Sequence, residues 1–513
     1  MSPAVSPPSQ PHDHQKTLRL VLACACLYAL AWTLFPPLLA PSFPLDVVES
    51  LGWGREWQWG YYKHPPLPPI ALHVSFLALG RWGPFALSQL CVALTLWLVW
   101  LTACRLVGRE RAFIGTVLTM GVAFYTRPAL EFNHNIAQMP FWAGICYFYL
   151  AAWQDDKRWQ WLMLGLMAGL GLLSKYSIGL LLLCLGLFTV LSPARSLLRR
   201  PGPWLALAVM GLVFAPHLLW LHNNDWLPFS YAKDRSSNHY GESARAGALG
   251  FLLTQLLNHL PLLLVLLFGF LRLRWSRLRP AVSASWQWHS AKPAYLCLIA
   301  LTPGLLLATL GMALGLRLRD MWGVPMWPFS GVVAAALIPS AWLAPMRPYL
   351  LRGIIVWLTV ISVLCGLYLW KISDFRRSPV RSDWPSAALA QQAEATWNTL
   401  SSCPLDTVAS DAWTGGLVAI GAKSQPSVLI PGDPRHSPWA TAKRLQQHGA
   451  LRIWQLEEDA DRDAPTGPYP VLDGLQGMRM HEGAWSIPWP RGQSRTQLVV
   501  QWRAYVPAAC DRR

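Results

Sequence analysis

Charge is scarce in this sequence. It holds 26 acidic and 43 basic residues among 513, so only 13% of the chain is charged while 53% is hydrophobic. Soluble domains average about 25% charged residues, so an ordinary soluble protein is excluded. No Gly-x-x-x-x-Gly-Lys-Ser/Thr loop, no Gly-x-Gly-x-x-Gly opening a helix and no Gly-x-Ser-x-Gly elbow occurs. Nucleotide-driven transport and nucleotide-sugar chemistry thereby lose their phosphate-binding signatures. Ahead of residue 371 neither His-Glu-x-x-His nor Asp-x-Asp spacing occurs, which argues against a dedicated zinc or divalent-cation motif. No internal repeat is visible, unlike the paired halves of many transporters. Cysteine is almost absent outside apolar runs. Eight of ten lie inside them, where Cys acts as a small hydrophobe, and only Cys403 and Cys510 lie beyond residue 371.

Long apolar runs are abundant. Crossing a bilayer takes roughly 20 apolar residues. Runs of that kind lie near 20–40, 85–106, 112–130, 135–153, 160–175, 177–193, 204–221, 248–271, 294–315, 325–345 and 353–371. They predict an α-helical polytopic membrane protein with about 11 transmembrane helices. The first run is too long for a cleaved signal peptide and has no small-x-small site. Residues 1–17, rich in Pro, Ser and His, read as a disordered cytoplasmic N-terminus. Residues 18–371 read as the membrane domain with a first external loop at 41–83. Residues 372–513 alternate helix-like stretches (387–400, 440–448) with strand-like ones (407–409, 427–430, 452–456, 497–505), predicting an external α/β domain.

The net charge of +17 is a topology signal. Loops on the N-terminal side of the membrane hold 17 Lys/Arg and 4 Asp/Glu, the alternate loops 10 and 8, and the tail 16 and 14. Positive charge therefore collects on one side, which makes the N-terminus cytoplasmic, and an odd number of spans puts the tail outside. In an oxidising space Cys403 and Cys510 are a candidate disulfide.

The residues that carry chemistry cluster at external span ends. Asp46 and Glu49 lie three apart beside the first span, on one face of a helical turn, as candidates to activate an acceptor, orient a sugar or hold a cation. The same spacing fits a carboxylate pair at the start of a surface helix. Trp53, Trp57 and Tyr61 recur at spacing four, as on one face of a helix in the headgroup region. Lys63 and His64 precede Pro65-Pro66, whose rings stiffen the backbone, and are candidates for a phosphate. Headgroup anchoring is the simpler alternative. Glu131, His134 and Asn135 open a span and are candidates for an acceptor or second site, with a metal site including Asp46 the weaker alternative. Lys175, alone between two apolar runs, and Arg319 either snorkel or join a phosphate cradle.

The order of these residues resembles a family. One span, an external loop with Asp46-x-x-Glu49, aromatics, then Tyr61-x-x-His64-Pro65-Pro66-Leu67 is followed by a span opening near Asn135, Ser174-Lys175-Tyr176, and Arg319-x-x-Trp322-Gly323-x-Pro325. This resembles bacterial membrane glycosyltransferases of the GT-C class, in the group of protein O-mannosyltransferase-like and lipid A aminoarabinose-transferase-like enzymes (families 39 and 83). The likeness covers about residues 18–370. It implies inverting transfer of a sugar from a polyprenyl-phosphate carrier to a lipid A or lipopolysaccharide acceptor at the periplasmic face of the bacterial inner membrane. It implies Asp46 as the central carboxylate and the carrier phosphate near Lys63, His64, Lys175 and Arg319. Where the family has Lys-Pro-Pro-Leu this chain has His64-Pro65-Pro66-Leu67, with Lys63 one place earlier. A second acidic residue of the family falls at Asn135, with Glu131 the nearby carboxylate. No cofactor is implied with certainty; a divalent metal stays open. The partners expected are the lipid-linked donor, a glycolipid acceptor and membrane lipid, with no nucleic acid. A protein O-glycosyltransferase and a transporter of lipid-linked intermediates are the alternatives.

Overall fold

The apolar runs fold as helices because, in lipid, only a helix satisfies every backbone donor and acceptor within one segment. The computed structural model describes residues 11–236, 244–275, 291–376, 379–455, 467–491 and 497–512; of the stretch 1–17 expected to be disordered, residues 1–10 lie outside them, while residues 11–17 are helical and open the first helix. Helix α1 (Pro11–Leu39) leads to a short helix α2 (Leu45–Arg55). Next come α3 (Leu67–Leu79), α4 (Gly83–Val107), α5 (Arg109–Thr119), α6 (His134–Asp155), α7 (Arg158–Ser174), α8 (Ile178–Leu191), α9 (Pro201–Asn223) and α10 (Leu227–Ser236). The bundle continues through α11 (Ala244–Asn258), α12 (Leu260–Trp275), α13 (Ala291–Leu314), α14 (Ser330–Leu337) and α15 (Ser340–Phe375).

Among the described residues five helical stretches are long and apolar enough to cross a membrane, or up to seven if two bent pairs each count as one span. The expected spans at 135–153 and 160–175 are single helices, α6 and α7, outside that count, and two further expected spans are broken. Residues 112–130 contain the end of α5 and two 3-10 turns, and 325–345 is broken between α14 and α15. Both short helices are buried against each other. A Cβ on Gly331 would stand 2.2 Å from the Gly115 carbonyl oxygen, so only glycine permits the approach. The aromatic stripe also departs from expectation. Helix α2 ends at Arg55, and Trp57 has a positive φ of 45°. The chain turns back there, so Trp53 meets Tyr61 by stacking across the turn, with ring centres 5.4 Å apart, and Trp57 points into the surroundings.

The tail forms α16 (Ser386–Leu400), α17 (Ala412–Gly421), α18 (Ala442–His448) and a five-stranded sheet. The strands are β1 (Thr407–Ala409), β2 (Ser427–Leu429), β3 (Ala450–Gln455), β4 (Met478–Ile487) and β5 (Leu498–Pro507), in the order β2-β1-β3-β5-β4. β1 pairs in parallel with β2 and β3, and β5 pairs antiparallel with β3 and β4. Cys403 and Cys510 are joined, with Cα atoms 5.5 Å apart. The tail is seated on α2. A Cβ on Gly416 of α17 would lie 2.5 Å from Val48 Cγ1, and the Ser386 hydroxyl donates to the Pro41 carbonyl at 3.1 Å.

Candidate functional site

Helix α2 begins at Leu45 because Pro44 ahead of it is extended and cannot continue a helix backwards. That start puts Asp46 in the first turn and Glu49 one turn on. Helix α6 begins at His134 because Asn133 caps it, its side-chain oxygen accepting from the Asn135 and Ile136 amides. The same side chain donates to the Asp46 carboxylate. The Asp46 amide donates to Glu131 Oε1 at 3.2 Å. Two helix starts from distant parts of the chain thus place Asp46 and Glu131 together.

Cations surround this pair. Lys63 donates to Glu49 Oε1 at 2.7 Å, with the two side chains only 10% and 13% exposed. Its ammonium lies 5.2 Å from the Tyr62 ring centre and 5.4 Å from that of Tyr231 on α10. Lys175, at the end of α7, donates to Asn135 Oδ1. Arg235 on α10 adds its charge to the field at Asp46, His64 and Lys175. The His64 and His134 rings lie against each other, with centres 4.0 Å apart and planes tilted by 33°. The His134 ring bonds the Pro65 carbonyl and leaves its Nε2 buried with no hydrogen-bond partner.

Burial raises the Asp46 carboxyl above the ordinary aspartate value, opposed by Lys63, Lys175, the Asn133 bond and Arg235. Burial, then the Asp46 charge, raises Glu131 as well, opposed by its bond from the Asp46 amide and by Arg127 and Arg381. Two adjacent carboxylates resist double ionisation. Lys63, Lys175 and Arg235 oppose the rise at Asp46, as Arg127 and Arg381 do at Glu131. Burial lowers Lys175 to about 8, with Asp46 holding its charge and Arg235 opposing it. For Lys63, burial is outweighed by Glu49, Tyr62 and Tyr231, and the ammonium is held above the ordinary lysine value. Burial and neighbouring charge lower His64, and lower His134 to about 3, so both rings are neutral.

Of the residues singled out in sequence, the structure gathers Asp46, Glu49, Lys63, His64, Glu131, His134, Asn135 and Lys175. Arg319 belongs to a segment whose neighbour Arg317 bonds the Ser236 carbonyl through its amide at 2.9 Å, and the cation acting on Asp46 from this side is Arg235. Sequence reasoning missed Arg235, Tyr231 and Asn133; the run Lys233-Asp234-Arg235 in an otherwise sparse loop was the available signal. No group of three or more His, Cys, Asp or Glu among the described residues is arranged to hold a metal ion.

Residues 63–220 match the family described as dolichyl-phosphate-mannose-protein mannosyltransferase. The structure superposes on ArnT from Cupriavidus metallidurans bound to undecaprenyl phosphate with a TM-score of 0.61 at 13% identity, covering 94% of this chain and 98% of that one. The apo state of the same protein gives 0.60 at 13% identity, covering 95% and 98%. The chain shares the fold of ArnT. No curated protein matches it in sequence. The superposition spans the membrane helices and the tail together, so the α/β unit is part of the shared fold. The family match begins at Lys63 and includes Glu131, His134, Asn135 and Lys175, while Asp46 and Glu49 precede it.

Proposed function

We propose that the chain transfers a sugar from a polyprenyl-phosphate carrier to a lipid A or lipopolysaccharide acceptor at the periplasmic face of a bacterial inner membrane. The observation that carries this reading is one carboxylate, Asp46, set among Lys63, Lys175 and Arg235 with Glu131 beside it. The anomeric carbon–oxygen bond to the carrier phosphate breaks as a bond to the acceptor oxygen forms on the opposite face, inverting the configuration. The departing phosphate gains charge, and preorganised cations stabilise it in a site that needs no reorganisation. A hydroxyl acceptor gives its proton to Asp46. A phosphate acceptor is already nucleophilic, and Asp46 then orients the sugar. His64 and His134, neutral and in ring contact, leave the charge work to Lys63 and Lys175.

Mass spectrometry of lipid A from cells lacking the gene, complemented with wild type or Asp46→Ala, tests the reading. A sugar-sized mass increment restored by wild type alone supports it. Unchanged lipid A in every strain overturns the acceptor assignment, and glycosylation of exported proteins in the same strains then decides for the protein O-glycosyltransferase reading.

A further inference from the structure

The α/β tail reaches the site itself. Val428 and Ile430, in and just after β2, share an apolar cluster with Trp53, Tyr61 and Tyr62 of the first external segment and Leu227 of α10. In the turn that follows, the His436 ring lies on the face of Tyr62, with centres 4.3 Å apart and planes 30° off parallel. That turn is braced from behind. The Ile430 amide donates to the Ser437 hydroxyl at 3.1 Å, and the Trp439 indole donates to the Val428 carbonyl at 2.9 Å. Arg435 is clasped by Asp433 and extends to Asp225 at 3.1 Å, tying the turn to the segment before α10. Tyr62 is also one of the two rings against the Lys63 ammonium. His436, Tyr62, Lys63 and Glu49 therefore form an unbroken line of contacts from the tail to a site cation.

The imidazole is used for its face. Its Nδ1 is buried with no hydrogen-bond partner. Burial, with Arg435 and Lys63, lowers its basicity against the pull of Asp433, so it stacks as a neutral ring.

We propose that the tail is a working wall of the substrate site and that His436 is its positioning residue, holding Tyr62 against Lys63 so that the ammonium meets the donor phosphate. The phosphate half rests on the donor proposed above; the placement of Lys63 does not.

Two measurements on the purified full-length chain separate these halves. One is acylation of Lys63 by a water-soluble amine reagent, read by peptide mass spectrometry; the other is affinity for undecaprenyl phosphate. In His436→Ala the acylation rate rises severalfold and the affinity falls about fivefold, the size of one lost ring stack. His436→Phe keeps the ring face and returns both to within about twofold of wild type. If His436→Ala leaves both quantities at wild-type values, or if His436→Phe behaves like His436→Ala, the positioning role is overturned. Raised acylation with unchanged affinity removes His436 from the substrate site. A wild-type chain that does not bind undecaprenyl phosphate refutes the donor reading, while the acylation result still decides the placement of Lys63.

Discussion

The buried Lys63–Glu49 pair makes a quantitative claim. Its atoms are 2.7 Å apart and the side chains are 10% and 13% exposed, so water screens little of the interaction. Removing one partner of a buried pair costs about 3–5 kcal/mol, because the other charge stays behind in a poor solvent. The two removals differ. Lys63, Lys175 and Arg235 already add like charge to one region, as their common effect on His64 shows. Glu49→Gln leaves a surplus cation there, at a cost of about 4 kcal/mol. Lys63→Met leaves a carboxylate with cations still near it, at about 3 kcal/mol. The double variant leaves neither charge and is no worse than the worse single change, giving a coupling of about 3 kcal/mol. Detergent-titrated unfolding of the four full-length chains, followed by tryptophan fluorescence, measures that cycle. A coupling below about 0.5 kcal/mol, as in exposed pairs, would refute the reasoning. So would a Lys63→Met variant less stable than Glu49→Gln.

Other outcomes follow from the same site. Asp46 holds Lys175 charged against burial, so Asp46→Asn discharges Lys175 at lower pH than wild type. Its affinity for undecaprenyl phosphate then stays near wild type at pH 6 and falls about tenfold at pH 8.5, roughly one pKa unit of lost interaction; a pH-independent ratio would contradict this. Glu131 binds its proton more tightly folded than unfolded. Its contribution to stability is full below the ordinary value of 4.5 and is lost as pH rises through the raised one. Glu131→Gln therefore flattens the fall in melting temperature across that window. Gly416→Leu forces a side chain into Val48 of α2 and is expected to abolish glycosyl transfer while leaving the disulfide formed, as non-reducing peptide mapping will show. Cys403→Ser opens a cross-link of sequence separation 107, costing about 4–5 kcal/mol by loop entropy. The expected signs are lower thermal stability and faster proteolysis of the tail.

How much of this was legible in sequence depends on whether the signal was local. Most of the apolar runs and the one-turn spacing of Asp46 and Glu49 are local, and they are recovered in helices, whereas the runs at 112–130 and 325–345 are broken. The tail strands β1, β2, β3 and β5 also carry apolar runs and were readable. β4 was not: it is an edge strand, largely exposed from Met478 to Gly483, so no apolar alternation marks it. Within it the Trp502 ring lies so close to position 483 that a Cβ there would stand 2.7 Å from it, which glycine avoids, a contact no window on the sequence contains. The stripe Trp53, Trp57, Tyr61 misled for the opposite reason. Its helical spacing is real, but the helix ends before it is used.

The cations divide in the same way. Lys63 and Lys175 stand beside prolines or alone between apolar runs, and that isolation in sequence makes them visible. Arg235 sits in a mixed-charge run that reads as an ordinary solvated loop, and becomes part of the site only because α10 folds over Lys63 through Tyr231. His436 is further still, 372 positions beyond His64 in the numbering of the chain, and reaches Tyr62 only after the sheet has formed and docked. Residues that make the charged floor of the site are thus set by short-range sequence, whereas those that enclose it depend on tertiary closure. A site built this way can keep its charged floor constant in the membrane domain while the enclosing segments, α10 and the β2 turn, change what the floor is offered.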